Sequence, residues 1–252
     1  MSDQAATWKI DGEVAHLSCG PLRGRVEFAS VGVHFFPDQW NDKPLDQLSL
    51  LFTRGTSDIF QLTLQDWYVR GNDLVAQFEK TPTQRLSPQI YWRARNWCEQ
   101  QAVSVEMILS MQTELLDSAP QAKVHSFSHG GTLWLADSFS DARFEQVHLD
   151  RDGEERVSGR DSSYQLFVFR NEKLGVSYAQ AVHPSDFISA QIVADKISGL
   201  WGVASTLLPE HLEKGVIRRA RICGWFLPAK DDLQFAAALA QQFVDEPLPL
   251  TA

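Results

Sequence analysis

From Val103 to Leu115 the chain alternates with a period of two. Val103, Val105, Met107, Leu109, Met111, Thr113 and Leu115 interleave with Ser104, Glu106, Ser110, Gln112 and Glu114, and only Ile108 departs from the pattern. A helix would scatter those apolar side chains around its whole circumference; a strand puts them on one face. The segment is therefore expected to be a half-buried strand. Strand candidates of the same kind recur at Arg25–Phe36, Gln89–Trp97, Lys123–Phe127, Thr132–Leu135, Phe187–Ala194, Gly199–Leu207 and Gly215–Leu227.

Turn residues separate several of these runs. Arg70-Gly71-Asn72-Asp73 divides Trp67–Val69 from Leu74–Phe78, Asp150-Arg151-Asp152-Gly153 follows Phe144–Leu149, and Asn171-Glu172-Lys173 divides Tyr164–Phe169 from Leu174–Val182. Each supplies the Gly, Asn or Asp that a tight reversal requires. Leu45–Phe52 suits either a short helix or a strand. One segment has helical spacing: Leu233, Ala236, Ala237, Leu239, Ala240, Phe243 and Val244, with Asp231 and Gln234 arranged as a capping box and Pro247 and Pro249 as stops. A helix over about 231–244 is expected to lie across the sandwich or to cover an edge strand. The expected fold is all-β, an antiparallel two-sheet sandwich with one C-terminal helix. With no Pro/Gly/Ser-rich linker, residues 1–252 are expected to form a single domain.

Composition narrows the function classes. With 44% hydrophobic and 22% charged residues the chain is an ordinary globular sequence, not a disordered one. Its formal net charge of −9 argues against a uniformly basic nucleic-acid surface. The three cysteines, Cys19, Cys98 and Cys223, are widely spaced, which fits a reducing compartment and neither a zinc site nor a disulfide framework. Met1 to Lys9 shows no basic or apolar leader pattern, and no apolar run approaches membrane-spanning length, so a cytoplasmic location without membrane attachment is expected. Several catalytic and cofactor-binding motifs are missing: GxSxG, GxxxxGK[ST], HExxH and GxGxxG are all absent, and no cofactor is expected.

Chemistry is best sought on two arginine-bearing strands. In an extended Gln89–Trp97, Tyr91, Arg93, Arg95 and Trp97 share one face. Aromatic rings stack on sugar C–H faces, and guanidinium forks bond hydroxyl or anionic oxygens. The same pattern also suits a solvated face with cross-strand acidic partners. In Gly215–Trp225, Arg219 and Arg221 share a face with Ile217 and Trp225, and Arg218 points the other way. If the two strands are neighbours, four arginines could line one groove for an anionic ligand; cross-strand pairing with carboxylates is the alternative. His125 and His129 lie four apart, but the glycines that follow put His129 in a turn, and no third ligand marks a metal site. His183, before Pro184-Ser185-Asp186, is the histidine best placed for acid–base work, unless Asp186 instead caps backbone amides. Glu213 leads directly into the second arginine strand.

Three phrases together, Asp66-Trp67-Tyr68-Val69-Arg70-Gly71-Asn72-Asp73-Leu74-Val75, Tyr91-Trp92-Arg93 and Leu212-Glu213-Lys214-Gly215-Val216-Ile217, resemble the galactose mutarotase-like β-supersandwich. That resemblance implies a carbohydrate ligand on a concave sheet face. It also implies, for epimerase members, a glutamate base and a histidine acid that open and reclose a sugar hemiacetal. The family's Asn-His-x-Tyr-Phe phrase is absent here, and His183 is its nearest analogue by type. The expectation is thus a carbohydrate-binding or carbohydrate-processing protein, epimerase/mutarotase-like or related to glycoside hydrolases, acting on a small sugar or sugar derivative that could be anionic. Tyr91, Arg93, Trp97, Arg219 and Arg221 would bind ligand, with His183 and Glu213 as acid–base candidates. The alternative is a non-catalytic ligand-binding or protein-interaction domain on the same scaffold.

Overall fold

The computed structural model describes residues 6–28, 32–35, 48–54, 63–80, 85–98, 101–129, 131–136, 138–147, 157–159, 164–172, 174–195, 200–208 and 211–247. In chain order the strands begin with β1 (Thr7–Asp11), β2 (Val14–Cys19), β3 (Leu22–Glu27), β4 (Gly32–Phe35) and β5 (Leu48–Arg54). Next come β6 (Leu64–Arg70), β7 (Asp73–Phe78), β8 (Leu86–Trp97), β9 (Ala102–Thr113) and β10 (Asp117–Ser118). They continue with β11 (Ala122–His129), β12 (Thr132–Ala136), β13 (Phe144–Val147), β14 (Val157–Gly159) and β15 (Leu166–Asn171). The last are β16 (Val176–Val182), β17 (Phe187–Asp195), β18 (Leu200–Leu207), β19 (Leu212–Glu213) and β20 (Ile217–Pro228), before the one helix among the described residues, α1 (Asp232–Asp245).

Two nine-stranded sheets result, both antiparallel throughout. The first runs β1-β2-β3-β4-β5-β11-β18-β17-β14 and the second β13-β12-β15-β16-β20-β9-β8-β7-β6; β10 and β19 form a small pair of their own. The alternating residues of the long strands turn inward and fill the space between the sheets. Trp92, Met107, Leu109, Ile222 and Phe226 from the second sheet belong to one buried cluster with Leu17, Val26, Val124 and Val203 from the first. The close packing has a geometric requirement at Gly224, where a Cβ would stand 2.3 Å from the Tyr178 hydroxyl oxygen. Only glycine lets the ring lie against the strand there.

The strand and hairpin expectations are met at β6–β7, β15–β16, β8, β9, β11, β12, β17, β18 and β20, and Leu48–Arg54 resolves as strand. Three details differ, and one expectation goes untested. Arg25–Phe36 is not one strand: β3 ends at Glu27 and pairs antiparallel with β4. His129 closes β11, opposite Leu200, and does not sit in a turn. The reversal at Asp150–Gly153 lies outside the described residues. Finally, β9 is buried on both faces, not one, because the side of Ser104, Glu106 and Ile108 is covered too.

The helix matches its periodicity but not its expected cap, and of its two expected seats it takes the one across the sandwich. Asp231 adopts a left-handed conformation (φ 59°) and makes no side-chain cap bond. The neighbouring Asp232 takes over: its carboxylate accepts the Leu233 amide at 2.8 Å, is gripped by Arg170 (Nε to Oδ2, 2.9 Å), and accepts the Ser177 hydroxyl. The helix then lies over β15, β16 and β20, central strands of the second sheet, and not over an edge. Its Ala236, Leu239, Ala240 and Phe243 pack on Leu166, Val168, Ala181 and Trp225 in a second apolar cluster outside the sandwich. Among the described residues no helix is long and apolar enough to cross a membrane.

Candidate functional site on the outer face of the second sheet

The two arginine strands are not direct neighbours; β9 lies between them, and all three share one outer face. Register fixes the rows. Arg93 and Cys223 both oppose Glu106, Tyr91 and Arg221 both oppose Ile108, and Gln89 and Arg219 both oppose Ser110. Tyr91, Arg93, Arg95, Trp97, Arg219 and Arg221 thus stand on the same side of the sheet, by the period-two rule that put each pair on one face of its own strand.

Three of the arginines are held by carboxylates. Arg93 makes a bidentate pair with Asp73, Nε to Oδ1 at 2.8 Å and Nη2 to Oδ2 at 2.9 Å. This bond is the main cause holding the Arg93 guanidinium above its ordinary pKa, against the opposing effect of burial. Arg221, only 1% exposed in its side chain, donates from Nε to Glu106 Oε1 at 2.7 Å. Arg95 donates to both oxygens of Glu246 at 2.7 and 3.0 Å. Glu246 follows α1, so the helix end seals this part of the face: Phe243 lies 4.5 Å beneath the Arg221 guanidinium. Trp97 belongs to the same sealed region, with its indole N–H on Ser104 Oγ at 2.9 Å.

Further along β8, β9 and β20, beyond the reach of the helix, the face opens into a recess of about 310 Å³. Its walls carry the amides of Gln65, Gln77, Gln89 and Gln112 and the hydroxyls of Ser87 and Ser110, over Phe78, Pro88 and Ile217. Glu79 and Lys80 stand among the lining residues, with Lys80 bonded to Glu114. Two of the expected ligand residues border this recess. Tyr91 donates its hydroxyl to Gln89 Oε1 at 2.5 Å, and Arg219 occupies the row of Gln89 and Ser110. Burial raises the Tyr91 phenol above its ordinary pKa, with Tyr68 adding and Arg70 and Arg219 opposing. The volume lies at the lower end of the roughly 300–1,000 Å³ typical of small-molecule sites. A larger hollow of about 500 Å³ lies between α1 and the β13 segment, but Phe139, Ala142, Phe144, Leu233 and Ala237 make most of it apolar.

The two acid–base candidates occupy different places. His183 directly follows β16 and donates its amide to Arg221 O at 3.0 Å, beside Phe243 with ring centroids 6.0 Å apart. Its Nδ1 meets Ser185 Oγ at 2.8 Å, and that hydroxyl donates to Asp186 Oδ1 at 2.7 Å. Asp186 Oδ2 accepts the Arg221 amide at 2.8 Å, so the carboxylate caps a backbone amide while linked to the imidazole through one serine. Burial raises the Asp186 carboxyl above its ordinary 3.8. Glu213 is exposed in β19, opposite Asp117, past the far end of β20. The stretch from Arg221 to Ile217 alone spans roughly 13 Å of strand at about 3.3 Å per residue, so His183 and Glu213 do not meet in one pocket.

Glu106, Asp73, Glu246 and the four glutamines are the residues that sequence reasoning did not single out. The only available signal was their phase: Gln77, Gln89 and Gln112 fall on the outward positions of their strands.

Two large antiparallel sheets packed face to face make the fold a β-sandwich like those of mutarotase-like solved structures. Among solved structures, the fold resembles the proposed mutarotase YeaD from Salmonella typhimurium (TM-score 0.52, 9% identity, covering 89% of this chain and 94% of that one). It also resembles the α-N-acetylgalactosaminidase NagBb from Bifidobacterium bifidum, solved with GalNAc (TM-score 0.53, 9% identity, 96% of this chain and 39% of that one). A third likeness is to a TPR-domain-containing protein from Parabacteroides distasonis (TM-score 0.52, 9% identity, 85% and 46%). The chain thus spans less than half the length of these last two. No protein-family model and no curated protein matches the sequence.

Proposed function

We propose that this protein binds a carbohydrate in the glutamine- and serine-lined recess beside Tyr91 and Arg219. The observation that carries the reading is the lining itself. Each glutamine offers both a donor and an acceptor and each serine does likewise, which matches a polyhydroxylated ring whose hydroxyls do the same. Ile217, 51% exposed, supplies apolar surface for the sugar's C–H groups. The carboxylate pairing of Arg93, Arg95 and Arg221 favours a neutral sugar over an anionic one. Likeness of fold to a mutarotase and a glycosidase agrees with this ligand class but assigns no reaction.

Binding without turnover is a second reading, favoured by the separation of His183 from Glu213. An epimerase that opens a hemiacetal needs its acid within reach of the ring oxygen and its base within reach of the anomeric hydroxyl of one bound sugar.

A thermal-shift panel of neutral monosaccharides, uronic acids and sugar phosphates tests the ligand class. At 100 times its Kd a ligand adds about 2.7 kcal/mol, which moves the midpoint of a chain this size by several degrees. A shift with neutral sugars that Gln89→Leu removes is the expected result; flat curves across the panel overturn the proposal. Polarimetric mutarotation of any sugar that binds then separates the two readings. Acceleration that Glu213→Gln or His183→Asn abolishes would establish an enzyme.

A further inference from the structure

Among the described residues, the strand β6 is an edge of the second sheet, with a partner, β7, on one side only. Its Tyr68 and Val69 are both 38% exposed. A two-residue loop, Gly71-Asn72 with Gly71 at φ 60°, joins it to β7, so the flanking Arg70 and Asp73 form a hydrogen-bonded pair. Alternation then turns the main-chain groups of Tyr68 and Asp66 toward β7 and those of Val69 and Trp67 away from it. An independent bond agrees: the Trp67 amide donates at 2.9 Å to the Asp66 side chain and not to the ladder. An exposed edge of this kind is a template for another strand.

The side chains of β6 specify which strand. Asp66 and Arg70 lie two residues either side of Tyr68 on the same outer face, and neither forms an ion pair with a described residue. We propose that β6 pairs antiparallel with β6 of a second copy of this chain, centred on Tyr68. In that register each Asp66 faces the other copy's Arg70, at the closer, non-hydrogen-bonded spacing, and each Trp67 faces the other copy's Val69. The outward amides and carbonyls of Trp67 and Val69 close four inter-chain hydrogen bonds, and Asp66 releases the Trp67 amide to reach its new partner. Sliding by two residues sets Tyr68 against Asp66 or Arg70 and removes both opposite-charge pairs, sliding by four sets Asp66 against Asp66 or Arg70 against Arg70, and sliding by one residue exchanges faces; all three disfavour other registers. The contact is two-fold and self-complementary, joins the second sheets of two chains, and runs along the strand that carries Gln65 into the recess.

A single edge-strand contact is smaller than a standard interface of roughly 1,600 Å², so the association is weak and concentration-dependent. Sedimentation equilibrium of the full chain from the micromolar into the low millimolar range should show conversion to twice the monomer mass. Asp66→Arg alone and Arg70→Asp alone each set like charges face to face and should remain monomeric across that range. An equimolar mixture of the two variants restores both opposite-charge pairs and should dimerise. Circular dichroism verifies that each variant is folded. A wild-type chain that stays monomeric overturns the proposal. So does a dimer that either charge reversal leaves unchanged, or a mixture of folded variants that fails to associate. None of these readouts depends on a sugar.

Discussion

Removing Glu106 should be much more damaging than removing Glu106 and Arg221 together. The Arg221 guanidinium is 1% exposed, lies over Phe243, and donates to Glu106 at 2.7 Å. Its other acceptors are poorer: the Glu246 main-chain oxygen at 3.4 Å and a Glu246 carboxylate oxygen 4.0 Å from Nη2. In Glu106→Met a buried cation loses its one short charge-assisted bond, and breaking a buried pair in this way costs about 3–5 kcal/mol. At roughly 2–4 °C per kcal/mol for a chain of this length, Tm should fall by about 6–20 °C. Arg221→Met alone leaves Glu106 with only the 3.9 Å contact to Arg95 and should be similarly destabilised. The double variant removes both charges, and a methionine at 221 still packs on Phe243, so its stability should lie within about 1 kcal/mol of the wild type. Urea unfolding of the four proteins measures the cycle. Additive losses, with the double variant as unstable as the sum of the singles, would refute the view that these groups act as one buried pair.

Other consequences are simpler to measure. Because burial raises the Asp186 carboxyl, the native state keeps that proton to a higher pH than the unfolded chain does. Its stabilising contribution is therefore complete below 3.8 and is lost as pH rises through the native value. The stability difference between wild type and Asp186→Asn should fall with pH from about 3 upward and then level off; a difference that rises with pH contradicts this. Gly224→Ala would force a methyl group to 2.3 Å from the Tyr178 oxygen and should cost about 1–3 kcal/mol in urea unfolding, with Tyr178→Phe as a partial rescue. Of the three thiols, Cys98 is exposed while Cys19 and Cys223 are buried, with the Cys19 pKa pushed up to about 12. Native protein should release one equivalent of thionitrobenzoate at pH 8, unfolded protein three, and native Cys98→Ser none.

What could be read from residues alone was what periodicity governs. Val103–Leu115 alternates, so it is a strand; Leu233–Val244 repeats at helical spacing, so it is a helix; Gly71-Asn72 reverses the chain between β6 and β7 because backbone sterics leave few alternatives. The faces were legible for the same reason, down to Tyr91, Arg93, Arg95 and Trp97 on one side of β8. What the sequence could not contain was which strands adjoin. Glu106 lies 115 positions from Arg221 in the chain yet is bonded to it, and the cross-sheet order β20-β9-β8 decides that bond. The same order set the carboxylates of Asp73, Glu106 and Glu246 beside the arginines, gathered Gln77, Gln89 and Gln112 into one recess, and kept His183 apart from Glu213. Local pattern fixes each strand's geometry through short-range sterics and burial, but a binding face is made of long-range pairings, and those exist only once the sheets have closed on each other.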